Sequence, residues 1–531
     1  MQLKIFLMQQ KKLTQNFHKY KKIYYFLIII ISFLFNTYYG YRGIFPIDSF
    51  LIFDGGYKIL NGYHPFKDYW SITGPLLDYV QYLFFLIFEV NWFSYVLHAT
   101  VVNTFLAVFI FFFLSKVGLN YLYSFIYTVG VSILAYPSIG TPFMDHHAVI
   151  FSIISICFLM IGIKDEKRKY WFFSSIFLVF SFFSKQIPSV YLAVVILFII
   201  FFYFIYLKKK NYELIFYFIS GIFTSLALFI LIFFINKIPL YNFILQYILY
   251  PSSLGNNRIA ILNLDFANTI AQFKFIFLSL APLIFIFFLI LRKKINNINQ
   301  KKDLVNLTLL CTSALIFMYC QLLTKNQVLI FFLIPLYLAI SHYYLKNYAD
   351  NKILISLVLI IFFISTTKYH LRFNHHKKFM ELVNVDFNLS VDGGLLDKKF
   401  SKLKWITPEY STQPMEEIKI LNDVKNFLIR DQKNKILVTD YQYLPSIINN
   451  KFASPNKWYD DLSVPSKQNK YFINYRNFFI SNIKNKNIKN IYIIGKSKRK
   501  YIEDIFLNPE CLEVSDLNIK LLKINLENCE Y

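Results

Sequence analysis

Long apolar blocks separated by short basic loops fill the first two thirds of the chain; "IYYFLIIIISFLF", "FLAVFIFFFL", "YLAVVILFIIFFYFIY" and "LFILIFFI" are among them. A bilayer core needs roughly 20 apolar residues per helix, so the blocks predict about eleven membrane-crossing helices. They fall near residues 23–39, 92–114, 119–136, 144–163, 170–183, 191–207, 214–236, 274–291, 304–323, 328–345 and 353–367. The segment "LLDYVQYLFFLIFEV" is shorter and carries Asp78 and Glu89, so 76–90 reads as a juxtamembrane helix. From about His370 the pattern turns polar. There "KILVTDYQYLPSIIN" and "IKNIYIIGKSKRKYIEDIF" each pair a β-branched, aromatic run with helix-like sequence, which suggests a small α/β domain over 370–531. No Gly-rich phosphate loop follows either run.

Composition agrees with the pattern. Of 531 residues 56% are hydrophobic and only 16% charged, against about a quarter charged in ordinary globular chains. The formal charge of +25 does not mark a nucleic-acid binder, because the cations cluster in short loops: "HKYKK", "KDEKRK", "LKKK" and "RKKINNINQKK". Such loops stay cytoplasmic. Residues 1–22 are then an inner N-terminus, and 23–369 form the transmembrane domain. A full span at 76–90 would put "KDEKRK" and "LKKK" outside; a juxtamembrane helix keeps every basic loop inside. The first apolar run lacks a small-residue cleavage site and reads as a retained anchor. Cys157, Cys311 and Cys320 lie in spans; Cys511 and Cys529 lie in the tail, and the sequence leaves their pairing open.

With this topology the outer face receives a first loop (40–75), "PSIGTPFMDHH", "SKQIPS", a long loop (237–273), "TKNQ" and the tail. Asp48, Asp54, Asp68, Asp145, His146, His147, Lys185, Arg258 and Lys325 all gather there. The first loop, "DSFLIFDGGYKILNGYHPFKDYWSITGP", holds Asp48, then Gly62, Pro65, Phe66 and Asp68, then Gly74 and Pro75 leading into the juxtamembrane helix.

In that order of residues the chain resembles the GT-C superfamily, integral-membrane glycosyltransferases that use polyprenyl-phosphate-linked sugars. The bacterial relatives of protein O-mannosyltransferases and aminoarabinose transferases are nearest in style. The resemblance covers about residues 20–370. It implies a polytopic α-helical GT-C-like fold with a small C-terminal α/β extracytoplasmic domain, a lipid-linked sugar donor as substrate, and a glycan, lipid or protein acceptor. A bacterial inner membrane is the default location. Many relatives have an Asp-Glu pair where this chain has Asp48-Ser49, which leaves Asp48 to act with a more distant partner.

Glycosyl transfer needs a base for the acceptor hydroxyl, and cations to meet the charge on the departing phosphate. Asp48 is the candidate base, with helix N-capping as the bland alternative. Asp145, beginning a helix with His146 and His147, is the second catalytic candidate; a plain cap is the alternative. Adjacent histidines point about 100° apart on a helix, so no zinc site is predicted. A divalent cation beside Asp145 stays open, and metal ligands are unassigned. Asp54, Asp68, His146, His147, Lys185, Arg258 and Lys325 are candidate substrate contacts. Asp54 would face away from Asp48 on a continuous helix, unless Gly55-Gly56 breaks it. Asp68 also suits a turn, while Lys185 and Lys325 also suit snorkelling. His375 and His376 read as solvated. Two other classes compete, a polymerase or ligase using lipid-linked oligosaccharide and a lipid-linked sugar transporter or flippase. The acid-rich first loop argues against the former, and the uninterrupted Phe, Ile and Leu spans argue against the latter.

Overall fold

The computed structural model describes all residues except 1, 209–211, 261, 263, 293–296, 326–328, 451–453, 496–497, 507–512, 517–519, 528 and 530–531. For 2–20, 256, 257, 260 and 513–516 it describes the backbone alone. The chain opens with α1 (Gln2–Gly40), and the first loop folds into α2 (Pro46–Ser49) and α3 (Leu51–Leu60) ahead of α4 (Leu76–Phe88). The bundle continues with α5 (Trp92–Val117), α6 (Tyr121–Leu134), α7 (Met144–Asp165), α8 (Arg168–Ser184), α9 (Gln186–Tyr206) and α10 (Glu213–Ile235). After α11 (Leu240–Phe243) and α12 (Tyr250–Ala260) come α13 (Gln272–Arg292), α14 (Ile298–Leu323), α15 (Ile334–Tyr348) and α16 (Lys352–Tyr369).

Among the described residues eight stretches are long and apolar enough to cross a membrane. They are α1 from Lys21, α5, α7, α9, α10, Ala267–Arg292, α14 and Lys352–Met380. On α10, Phe216, Phe223, Ile230 and Phe234 point outward; a bilayer accounts for such a face. The chain is an integral membrane protein. The other three predicted spans appear as the shorter helices α6, α8 and α15, of 14, 17 and 15 residues. Each is clipped locally: α6 by the turn at Tyr136–Ser138, α8 by extended backbone at Lys185, α15 by Pro335 in its first turn. Small polar residues let helices approach closely: Ser155 Oγ donates to the Ser174 carbonyl and Ser181 Oγ to that of Ala148, both at 2.7 Å, tying α7 to α8.

Polar contacts join the loops at both ends of the bundle. At one end Lys116 pairs with Asp165 at 3.0 Å, Arg168 with Glu213 at 2.5 Å and Lys302 with Glu166 at 2.5 Å. At the other, Gln186 Nε2 donates to the Ile72 carbonyl at 2.9 Å and Lys67 Nζ to that of Asn236 at 3.1 Å. One expectation is corrected there, and one alternative is closed. Residues 237–273 are largely helical, in α11, α12 and π-helical turns at Ile244–Leu249 and Ala267–Ala271. Packing against the first loop holds them: the Gln246 side chain bridges the Ser71 amide and the Phe66 carbonyl. Nor do Gly55 and Gly56 break α3. A Cβ on Gly55 would stand 2.3 Å from Asp78 Oδ1 and one on Gly56 2.6 Å from Gln81 Cγ, so the pair lets α4 lie close. Gly74 is bare for a similar reason, since its Cβ would meet the Phe183 carbonyl at 1.9 Å.

The tail contains β1 (Val391–Asp392), β2 (Lys404–Trp405), α17 (Pro414–Arg430), β3 (Lys435–Val438), α18 (Leu444–Ile447), α19 (Phe472–Asn485), β4 (Asn490–Ile494), α20 (Lys500–Glu503), β5 (Glu513–Asp516) and β6 (Leu521–Asn525). Its sheet runs β3-β4-β6-β5, parallel between β3 and β4 and antiparallel elsewhere. The i, i+3 spacing of Ile418, Leu421 and Val424 gives α17 one buried face. The tail grips the first loop by backbone bonds from Gly43 to Lys404 (3.0 Å) and Ile44 to Ile406 (3.0 Å). A buried ion pair joins them as well, with Lys457 Nζ at 2.7 Å from both carboxylate oxygens of Asp78.

Candidate active site

Pro46 starts α2 abruptly, and the short helix closes on itself through the Ser49 hydroxyl, which accepts from the Phe45 amide at 3.0 Å. Asp48 is therefore inside the turn and not its cap. Among the described residues nothing hydrogen-bonds or pairs with its carboxylate. It lines a cavity of about 600 Å³ whose wall carries Lys274, Lys325, Lys368, Arg372 and Lys378, with Glu381 the other acid. Phe331, Tyr369 and Phe373 supply aromatic surface. These cations stand where α13 begins and where α14 and α16 end, so five positive side chains from distant segments meet at one end of the bundle.

Asp145, in the first turn of α7, is buried, and Lys185 Nζ sits 2.6 and 2.7 Å from its two oxygens. The extended backbone at Lys185 between α8 and α9 aims that ammonium inward. Burial, then the Asp145 charge, pushes the Asp48 carboxyl up to about 7; Lys185 pulls it down, and Asp460 and Asp440 of the tail push it up further. Asp48 thus sits within electrostatic reach of the Asp145–Lys185 pair. A divalent cation fits this arrangement poorly, because the Lys185 ammonium already occupies both Asp145 oxygens. Among the described residues no group of three or more His, Cys, Asp or Glu is placed to hold a metal.

The other candidates divide. Lys325 shares the cavity with Asp48. Asp54 is buried and paired with Lys58 at 2.7 Å; burial raises its carboxyl while Lys58 lowers it. Asp68 accepts from the His64 amide at 2.9 Å and stands 3.6 Å from Lys486, so it shapes a turn and meets the tail. His147 lies in a buried chain, His98 Nε2 to His147 Nε2 at 3.1 Å and His147 Nδ1 to the Tyr136 hydroxyl. His146 contacts Ser138 Oγ at 3.4 Å. Neither histidine lines the cavity. Arg258, half-buried on α12, does not line it either, and His375 and His376 are exposed. Cys511 lies outside the described residues, and Cys529 is disulfide-bonded.

Sequence reasoning missed Lys274, Lys368, Arg372 and Lys378. A signal was present: "TTKYHLRFNHHKK" clusters cations at the end of the last span. No family model matches the chain, and no curated protein matches it. Among solved structures, it is similar to the archaeal oligosaccharyltransferase AglB from Archaeoglobus fulgidus in complex with an inhibitory peptide and a dolichol-phosphate. That likeness has a TM-score of 0.47 and 10% identity over 89% of this chain and 70% of that one. At this level it assigns neither a fold family nor an activity.

Proposed function

We propose that the chain is a GT-C-like glycosyltransferase that moves a sugar from a polyprenyl-phosphate-linked donor to an extracytoplasmic acceptor. One observation carries the reading: the cavity that holds Asp48 beside Lys274, Lys325, Lys368, Arg372 and Lys378. A polyprenyl chain lies in the bilayer and its phosphate at the headgroup level, where helix-end cations can reach it. Asp48 takes the proton of the acceptor hydroxyl as that oxygen bonds to the anomeric carbon. The anomeric carbon–oxygen bond to phosphate breaks, and its electron pair leaves on the phosphate, stabilised by the ammonium and guanidinium groups. Lys185 and Asp145 set the charge around the base. The site and the 370–531 domain are assigned to the outer side of a bacterial inner membrane, which the bonded Cys529 supports, since disulfides persist in oxidising compartments.

Binding of polyprenyl phosphate to the protein in lipid nanodiscs tests the reading. Arg372→Ala is expected to weaken it roughly tenfold or more, the worth of a hydrogen bond to a charged group. Unchanged affinity would remove the phosphate from this cavity. A pH–rate profile tests the neighbours. Lys185 lowers the Asp48 carboxyl and Asp145 raises it, so Lys185→Gln should move the acidic limb to higher pH and Asp145→Asn to lower pH. Shifts of the same sign in both variants would dissociate the pair from the base.

A further inference from the structure

Beside α2 the tail opens a second cleft, of about 270 Å³. Phe45, Pro46 and Ile47 form one wall; Tyr410, Asp440, Tyr441, Lys498 and Lys520 are among the residues of the other. It lies at the carboxyl ends of β3 and β4, which finish at Val438 and Ile494 just before Asp440 and Gly495. The crevice outside the carboxyl ends of neighbouring parallel strands is where open α/β sheets hold ligands.

Its chemistry differs from that of the basic cavity. Asp440 pairs with Lys498 at 2.8 Å, and Lys520 reaches Glu409 at 3.6 Å while lying 4.8 Å over the Tyr410 ring. Tyr441 donates to Glu417 at 2.7 Å. The lining therefore alternates acceptors and donors with little net charge, and offers the Tyr410 ring as an apolar face. A phosphate would find no excess of cations here, and an acyl chain would strand the carboxylates. A neutral pyranose satisfies both kinds of group, because each hydroxyl accepts from an ammonium and donates to a carboxylate, and its C–H face packs on an aromatic ring. The cleft is also within electrostatic reach of the base, since the Asp440 charge acts on Asp48.

We propose that this cleft binds the acceptor, and that the acceptor is a neutral sugar of a glycan. The assignment of the cleft to an acceptor rests on the transferase reading; its preference for neutral sugar rests on the lining alone. The experiment titrates full-length protein in nanodiscs with neutral hexoses, N-acetylhexosamines and their disaccharides, and in parallel with a hydroxyl-bearing peptide and a diacyl lipid. Polyprenyl phosphate is measured separately. Saturable binding of a neutral sugar, weakened at least tenfold by Tyr410→Ala and by Lys520→Ala with polyprenyl-phosphate affinity unchanged, is the expected result. Sugar affinity indifferent to both variants overturns the proposal, as does no sugar binding or saturation by the peptide or lipid alone. Loss of polyprenyl-phosphate binding by the wild-type protein would instead strike the transferase reading, while the sugar titration would still report on the cleft.

Discussion

Replacing Asp48 with Asn is expected to cut turnover by about 10²–10⁴-fold, the usual contribution of a positioned general base, and to raise thermal stability at pH 8. The two effects have one origin. Burial and the Asp145 charge hold the Asp48 carboxyl at about 7, whereas in the unfolded chain it titrates near 4. Between those values the folded state keeps a proton that the unfolded state has lost, so stability falls as pH rises. Above about pH 7 the full cost of ionising Asp48 is present, on the order of 4 kcal/mol for a three-unit shift. Below about pH 4 both states are protonated and the cost vanishes. Asn escapes it throughout. Melting curves of both proteins should therefore diverge at pH 8 and converge near pH 4, while transfer is lost at every pH. A destabilised Asn variant at pH 8 would mean that Asp48 makes a structural contact, and would remove it as the base.

Lys457→Met is expected to loosen the tail from the membrane domain by about 3–5 kcal/mol, the typical cost of stranding one buried charge of a pair. Asp78 is wholly buried, and its remaining partner is the Tyr69 hydroxyl at 3.0 Å. Asp78→Leu combined with Lys457→Met should recover most of the loss, because removing both charges also removes their desolvation penalty. Limited proteolysis of the 370–531 region and melting of the single and double variants measure it. A single variant as resistant as wild type would show that the backbone bonds at Gly43 and Ile44 hold the tail without help from the pair.

The helices were legible in the chain because lipid imposes one simple pattern, long apolar runs with cations between them. Asp48 stood out as a carboxylate after Pro46 in the first loop, with N-capping as the bland alternative, and it lines the basic cavity from inside the turn. The contacts that complete the site were not legible. Lys457 meets Asp78, and Lys368 and Arg372 share a cavity with Asp48, across more than 300 residues, and no local spacing encodes such pairings. His146 and His147 stand out by type, but α7 turns both into the bundle, away from the cavity that holds Asp48. Gly55-Gly56 left both readings open, because a glycine pair reads the same whether it bends a helix or makes room for another one. Residues 237–273 looked like loop because Pro and Gly punctuate them, and their helical turns depend on packing against the first loop.

The two unlike clefts that border α2 also carry a stereochemical consequence for the proposed transfer. In the transfer proposed above, with the lipid phosphate in the basic cavity and the attacking hydroxyl coming from the tail cleft, a single displacement brings nucleophile and leaving group to opposite faces of the anomeric carbon. A single displacement of this kind turns the carbon over, so the new linkage carries the anomeric configuration opposite to that of the donor.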